Sequence, residues 1–175
     1  MVATSAGFLK PIIDNCQHCH PDHHNEQVEL LMGVGGAAVD HAMPNAMFGS
    51  RLNCQACHKQ PGEDFKGDPL IQATADTCVA CHEKKYGDLL KQWLQEISAY
   101  LTESEKALSQ VKQRVEQRKA EGKPVPEKVA ELLKVAEQNI HLVKIGNRIH
   151  NRHFATHLLD VSDDKLREAQ ELLSK

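Results

Sequence analysis

Residues 88–121 read DLLKQWLQEISAYLTESEKALSQVKQRVEQRKAE, a stretch with neither glycine nor proline. Leu90, Leu94, Ile97, Leu101, Ser104, Leu108, Val111 and Val115 recur at alternating steps of four and three. That spacing lays one apolar seam along a long helix. Ala120-Glu121-Gly122-Lys123-Pro124-Val125-Pro126 then combines glycine and proline in a stop and turn. Beyond it Val129, Leu133, Ala136, Ile140 and Val143 repeat the seam, which predicts an antiparallel helical hairpin over about 84–148. Phe154, Leu158, Val161, Leu166, Ala169 and Leu173 predict a further C-terminal helix over about 150–174.

Residues 1–83 have a different texture. Glycines at 33, 35, 36, 49, 62 and 67 and prolines at 11, 21, 44, 61 and 69 predict loops and short helical turns. No stretch reads as a strand. The fold class expected is therefore mainly α, with no significant sheet: a loop-rich unit over 1–83, then a helical unit over 84–175. Gly33-Val34-Gly35-Gly36 follows no strand, so it is read as a tight turn or a close backbone approach, not as a phosphate loop.

Composition narrows what the first unit can contain. The 175 residues include only one Trp, two Tyr and four Phe, few for a core built from side chains alone. They also include six Cys and eleven His. All six cysteines fall into three identical patterns: Cys16-Gln17-His18-Cys19-His20, Cys54-Gln55-Ala56-Cys57-His58 and Cys78-Val79-Ala80-Cys81-His82. Disulfides, zinc ribbons and redox dithiols give no reason for a histidine after every pair. Covalent attachment of haem c gives one: two thiols bond one porphyrin edge, and the next residue places an imidazole on the iron. The expectation is three covalently bound haem c groups, attached by Cys16, Cys19, Cys54, Cys57, Cys78 and Cys81, with His20, His58 and His82 as proximal iron ligands. Three porphyrins would supply the flat apolar bulk that the side chains lack.

Eight histidines remain as candidates for the opposite faces of the irons: His18, His23, His24, His41, His141, His150, His153 and His157. His23 and His24 follow His20 too closely to wrap its porphyrin, so either would serve a neighbouring haem. His41 lies in a loop between motifs and is free to reach an iron. Met47 is a thioether alternative, or a residue that packs on a haem face. His150, His153 and His157 stand at i, i+3 and i+7, so they share a helix face and can face the haem unit together.

Two stretches carry a resemblance. Gly146-Asn147-Arg148-Ile149-His150-Asn151, followed by Ala155 and Leu158-Leu159, is similar to the C-terminal helical segment of pentahaem nitrite reductases and related multihaem cytochromes. There a His-Asn pair at the head of a helix supplies a distal haem ligand, which the resemblance carries onto His150. His24-Asn25-Glu26-Gln27 through Gly33-Val34-Gly35-Gly36, then Pro44 to Met47-Phe48 and Cys54, resembles multihaem cytochromes of metal- and sulfate-reducing bacteria. That likeness implies His24 as a distal ligand. The nitrite reductases carry five haems and an active-site haem on lysine; here there are three motifs and each ends in His, so the activity is not carried over.

The functional expectation is electron transfer between redox partners, such as other cytochromes or a terminal reductase, through closely packed low-potential haems. Two alternatives are a small-oxyanion reductase, which needs one open iron position, and a redox or gas sensor, which needs a labile ligand. The net charge of −3 provides no basic field for nucleic acid, and no apolar run is long enough for a membrane span. Haem c chemistry implies a periplasmic or cell-surface location, and no signal peptide is visible in the chain. The 84–146 hairpin is a candidate oligomerisation or docking surface.

Overall fold

A computed structural model describes residues 24–50, 52, 54–64 and 66–174. The first motif, with Cys16, Cys19, His20, His18 and also His23, lies outside the described residues. The chain is mainly helical. Helix α1 spans Asn25–Met32, α2 Ala46–Gly49 and α3 Cys54–Cys57. Strands β1 (Gln60–Glu63) and β2 (Pro69–Gln72) follow, then α4 (Ala75–Val79), α5 (Lys85–Ala120) and α6 (Glu127–Ile145). A 3-10 turn, Arg148–Asn151, leads into α7 (Arg152–Leu173).

The long helices arise where the seams lie, and they form an up-down-up bundle. Lys112 meets Glu137 at 2.7 Å and Lys144 meets Glu105 at 2.8 Å, so α6 runs back along α5. Tyr100 donates to Asp160, Ser104 to Asp163 and Arg118 to the Leu173 carbonyl, so α7 runs parallel to α5. Arg118 also donates to the Pro124 carbonyl at 3.2 Å. One guanidinium thus satisfies carbonyls at the α7 end and in the α5–α6 turn.

The most extensive packing is between α6 and α7, not within the α5–α6 hairpin. This rotates the buried faces from those expected. Leu132 is buried and Leu133 only partly so; in α7 Ser162 is buried and Val161 half-buried. Ser162 satisfies its hydroxyl on the Leu158 carbonyl at 2.7 Å, as a buried polar group must. The core combines Ile97, Leu101, Val111 and Val115 of α5 with Val129, Ala136 and Val143 of α6 and Phe154, Leu158, Leu166 and Leu173 of α7. Leu90 and Leu94, at the start of the α5 seam, are only half-buried.

Residues before the bundle join the same core. Leu30 of α1 is fully buried in it, with Val39 and Met43 packed against it. The glycine stretch is a tight turn and a close approach. Gly33 ends α1 in the left-handed region at φ 67°, and a Cβ there would meet the Met43 carbonyl at 2.0 Å. At Gly36 a Cβ would meet Leu158 at 2.4 Å, so the loop backbone lies directly on α7.

One expectation is corrected. Gln60–Glu63 and Pro69–Gln72 form a two-stranded antiparallel ladder, Gln60 opposite Gln72 and Glu63 opposite Pro69. Pro61, Gly62 and Pro69 conceal these strands, since neither residue type favours a strand interior. The ladder tolerates them because it has only two strands, both edges. Its loop is set by Asp64, whose carboxylate accepts from the amides of Lys66 at 2.8 Å and Asp68 at 2.9 Å.

Candidate haem-binding site

Each described motif is one helical turn. In the second, the His58 amide donates to the Cys54 carbonyl at 2.8 Å; in the third, the His82 amide donates to the Cys78 carbonyl at 2.9 Å. This i to i+4 closure stacks the two thiols of a motif and sends the histidine out at its end. Cys54, Cys57, Cys78 and Cys81 form no disulfides. Burial pushes the Cys57 thiol above its ordinary range, with further contributions from Cys78, Cys54 and Cys81. The β1–β2 hairpin joins the two motifs, and the Lys59 amide on the Gln72 carbonyl at 3.1 Å closes it at the end nearest both.

The hairpin orients His58. Its Nδ1 lies 2.9 Å from the Ile71 carbonyl, the residue paired with Pro61 in the ladder. A carbonyl can only accept, so Nδ1 carries the proton and Nε2 keeps a free lone pair. His150 shows the same arrangement: Nδ1 lies 2.8 Å from the Gly146 carbonyl and 3.1 Å from that of Asn147. Burial lowers the His150 pKa from its ordinary value, which favours the neutral imidazole that a metal requires.

The two rings lie close together in nearly parallel planes. Their centroids are 6.1 Å apart and their planes lie within 16° of parallel. Imidazoles on opposite sides of one metal, at about 2.0 Å per nitrogen, place ring centroids ~6.3 Å apart. On a tetrahedral ion the same bonds would bring them to about 5 Å. The centroid separation is close to that of two imidazoles on opposite sides of one iron, and Cys54 and Cys57, in the turn before His58, would be its points of attachment.

His150 is held from several sides. Its carbonyl accepts from Asn45 Nδ2 at 2.7 Å, and the Asn45 Oδ1 caps α2 at the Met47 amide. The next residue, Asn151, donates to the Met43 carbonyl at 2.6 Å and caps α7 at the Phe154 amide at 3.1 Å. Sequence reading missed Asn45, Asn151 and the Ile71 and Gly146 carbonyls as supports. Asparagines beside a helix start are a legible capping signal; backbone carbonyls carry none.

The other candidates are placed as follows. His82 is exposed, its ring 4.7 Å from that of Tyr86 one helical turn on. His24 precedes α1 in the left-handed region and lies near enough to His150 to oppose its protonation. His41 is exposed, hydrogen-bonded to Asp40 at 2.5 Å, with its ring 6.4 Å from that of half-buried His157. The shared face expected of His150, His153 and His157 does not form. His150 sits in the 3-10 turn, and Asn151, with ψ 85°, breaks the helix before α7 begins. Met47 is 42% exposed. His141 is exposed, 3.9 Å from Glu26. Among the described residues no helix is long and apolar enough to cross a membrane.

Residues 46–87 match a family described as the doubled CXXCH motif. That span holds both described motifs, the hairpin between them and the start of α5. No curated protein and no solved structure matches the chain. The doubled CXXCH motif indicates covalently bound c-type haem in this part of the chain.

Proposed function

We propose that the chain is an electron-transfer cytochrome carrying three haem c groups and passing electrons between redox partners outside the cytoplasm. The observation that carries this reading is the span between His58 and His150. An iron ligated from both sides has no open position for substrate, so the group exchanges electrons and little else. Cys16, Cys19 and His20, Cys54, Cys57 and His58, and Cys78, Cys81 and His82 would each hold one haem. His150 would complete the site of His58, and His24 that of a neighbouring haem. Residues 1–83 would carry the haems, and residues 84–175 would clamp them by presenting His150.

The protein's own part is positional. The hairpin fixes the His58 tautomer through Ile71, and the bundle fixes His150 through Gly146, Asn45 and Asn151. The short hairpin between the second and third motifs would keep two haem sites within range for electron hopping.

Pyridine haemochrome analysis with intact mass should give three haems per chain. Carbon monoxide should leave the visible spectrum of the reduced protein unchanged, whereas His150→Ala should open one haem to it. Three unaltered low-spin signals in the low-temperature electron spin resonance spectrum of His150→Ala would overturn the assignment of His150. A carbon monoxide shift at one haem of the unmodified protein would favour a reductase or sensor instead.

A further inference from the structure

We propose that Tyr86 is a positioning residue for His82: its ring lies against the imidazole and sets the plane in which that ligand meets its haem iron. The inference rests on the reading of His82 as a proximal ligand and adds the group that orients it. The torsion that turns an imidazole about its Cβ–Cγ bond is broad, so a ligand ring needs an outside hold. A metal-bound histidine normally has one in a hydrogen bond from its second ring nitrogen. His58 has this hold in the Ile71 carbonyl, at 2.9 Å. His82 is exposed, and among the described residues its ring engages no carbonyl or carboxylate. It engages Tyr86 instead, at a centroid distance of 4.7 Å and an interplanar angle of 33°. That is an offset, tilted pair of the kind aromatic rings favour.

The surroundings of Tyr86 separate this contact from ordinary bundle packing. Tyr86, Trp93 and Tyr100 are both tyrosines and the one tryptophan of the chain, and they stand seven residues apart on one stripe of α5. Trp93 carries the Arg152 guanidinium over its ring at 5.6 Å, and Tyr100 donates to Asp160 at 2.7 Å, so both serve the contact with α7. Because α7 begins at Arg152 and runs parallel to α5, Tyr86 lies about 10 Å beyond its end. The start of α5 is seated on the third motif. The Tyr86 amide donates to the Glu83 carbonyl at 3.0 Å, and buried Gly87 lies so near α4 that a Cβ on it would touch Val79 at 3.4 Å and Ala75 at 3.6 Å. Lys85 stands 5.6 Å from the centre of the Tyr86 ring and pairs with Glu83 at 3.0 Å. Backbone thus fixes where the Tyr86 ring stands, and His82, one helical turn earlier, is placed against it.

The test uses the full haem-loaded chain and its Tyr86→Leu and Tyr86→Phe variants. Haem is counted by pyridine haemochrome, and the ferric low-spin signals and the midpoint potentials are then recorded. In Tyr86→Leu the g values of one low-spin signal should shift and its lines broaden, and the potential of one haem should move. The other two haems should stay as they were. Tyr86→Phe keeps the ring and should reproduce the unmodified protein. The proposal is overturned if Tyr86→Leu leaves all three signals and potentials unchanged. It is also overturned if Tyr86→Phe alters the same signal as strongly, which assigns the effect to the hydroxyl, or if all three signals change together, which assigns it to the fold. Fewer than three haems in the unmodified protein would defeat the haem reading itself, and the proposal with it. Three haems with unaltered signals would defeat the role of Tyr86 alone.

Discussion

The side chain of Asn139 grips the backbone of Ala37 at both of its polar groups, accepting from the amide at 2.7 Å and donating to the carbonyl at 3.1 Å. The asparagine is fully buried. Replacing it with Leu would leave both groups of a loop peptide unpaired inside the fold, at a cost of about 1–3 kcal/mol each before relaxation. Asn139→Leu is expected to lower the midpoint of thermal unfolding and to expose Val39 and Met43. Asn139→Asp should lower it too, because a carboxylate cannot donate to the Ala37 carbonyl. Calorimetry of the two variants checks both.

Two glycines should respond in opposite directions to the same change. A Cβ at Gly146 would stand 2.6 Å from the carbonyl oxygens of Glu26 and Leu142, neither of which can yield easily. Gly146→Ala should destabilise the protein by about 1–3 kcal/mol, in the range of overpacking, and displace α1 and the His150 support together. At Gly87, inside α5, a Cβ would meet Val79 at 3.4 Å and Ala75 at 3.6 Å, ordinary contact distances. Gly87→Ala should stabilise by about 0.5–1 kcal/mol by restricting the unfolded chain. Parallel denaturant titrations measure the pair.

Asp64→Ala removes the acceptor for two hairpin amides. A loss of about 1 kcal/mol from local stability is expected, roughly a fivefold faster opening. Hydrogen exchange at the Lys59 amide, bonded to the Gln72 carbonyl at 3.1 Å, should accelerate by that factor. Amides in the middle of α6 should not change.

Alkaline pH should weaken the α5–α7 contact through Tyr100. Burial and its hydrogen bond to Asp160 push the phenol pKa above its ordinary value. The folded state therefore holds the proton more tightly than the unfolded state. The stability this provides is complete below the unfolded tyrosine pKa of about 10 and is lost as pH rises through the folded value. Tyr100→Phe should show a shallower fall in unfolding midpoint above that pH than the unmodified protein. Equal slopes would show that the phenol does not couple to folding.

Local chemistry is legible in the order of the residues. The Cys-x-x-Cys-His patterns indicate c-type haem because bond geometry fixes their spacing, and the four-and-three seams specify long helices because helical periodicity does. The His150-Asn151 pair stands out in the sequence through a resemblance, but the bonds that Asn151 makes to Met43 and Phe154 do not. Which helix faces meet was settled by packing. Leu132 and Ser162 are buried where Leu133 and Val161 were expected, because α6 leans on α7 more than on α5. Packing also set Pro61 and Pro69 in a ladder, and brought the ring centroids of His58 and His150 to 6.1 Å and those of His41 and His157 to 6.4 Å. These are pairings between residues far apart in the chain. They rest on backbone carbonyls and on the closeness of packed glycines, which leave no periodic trace in the order of side chains.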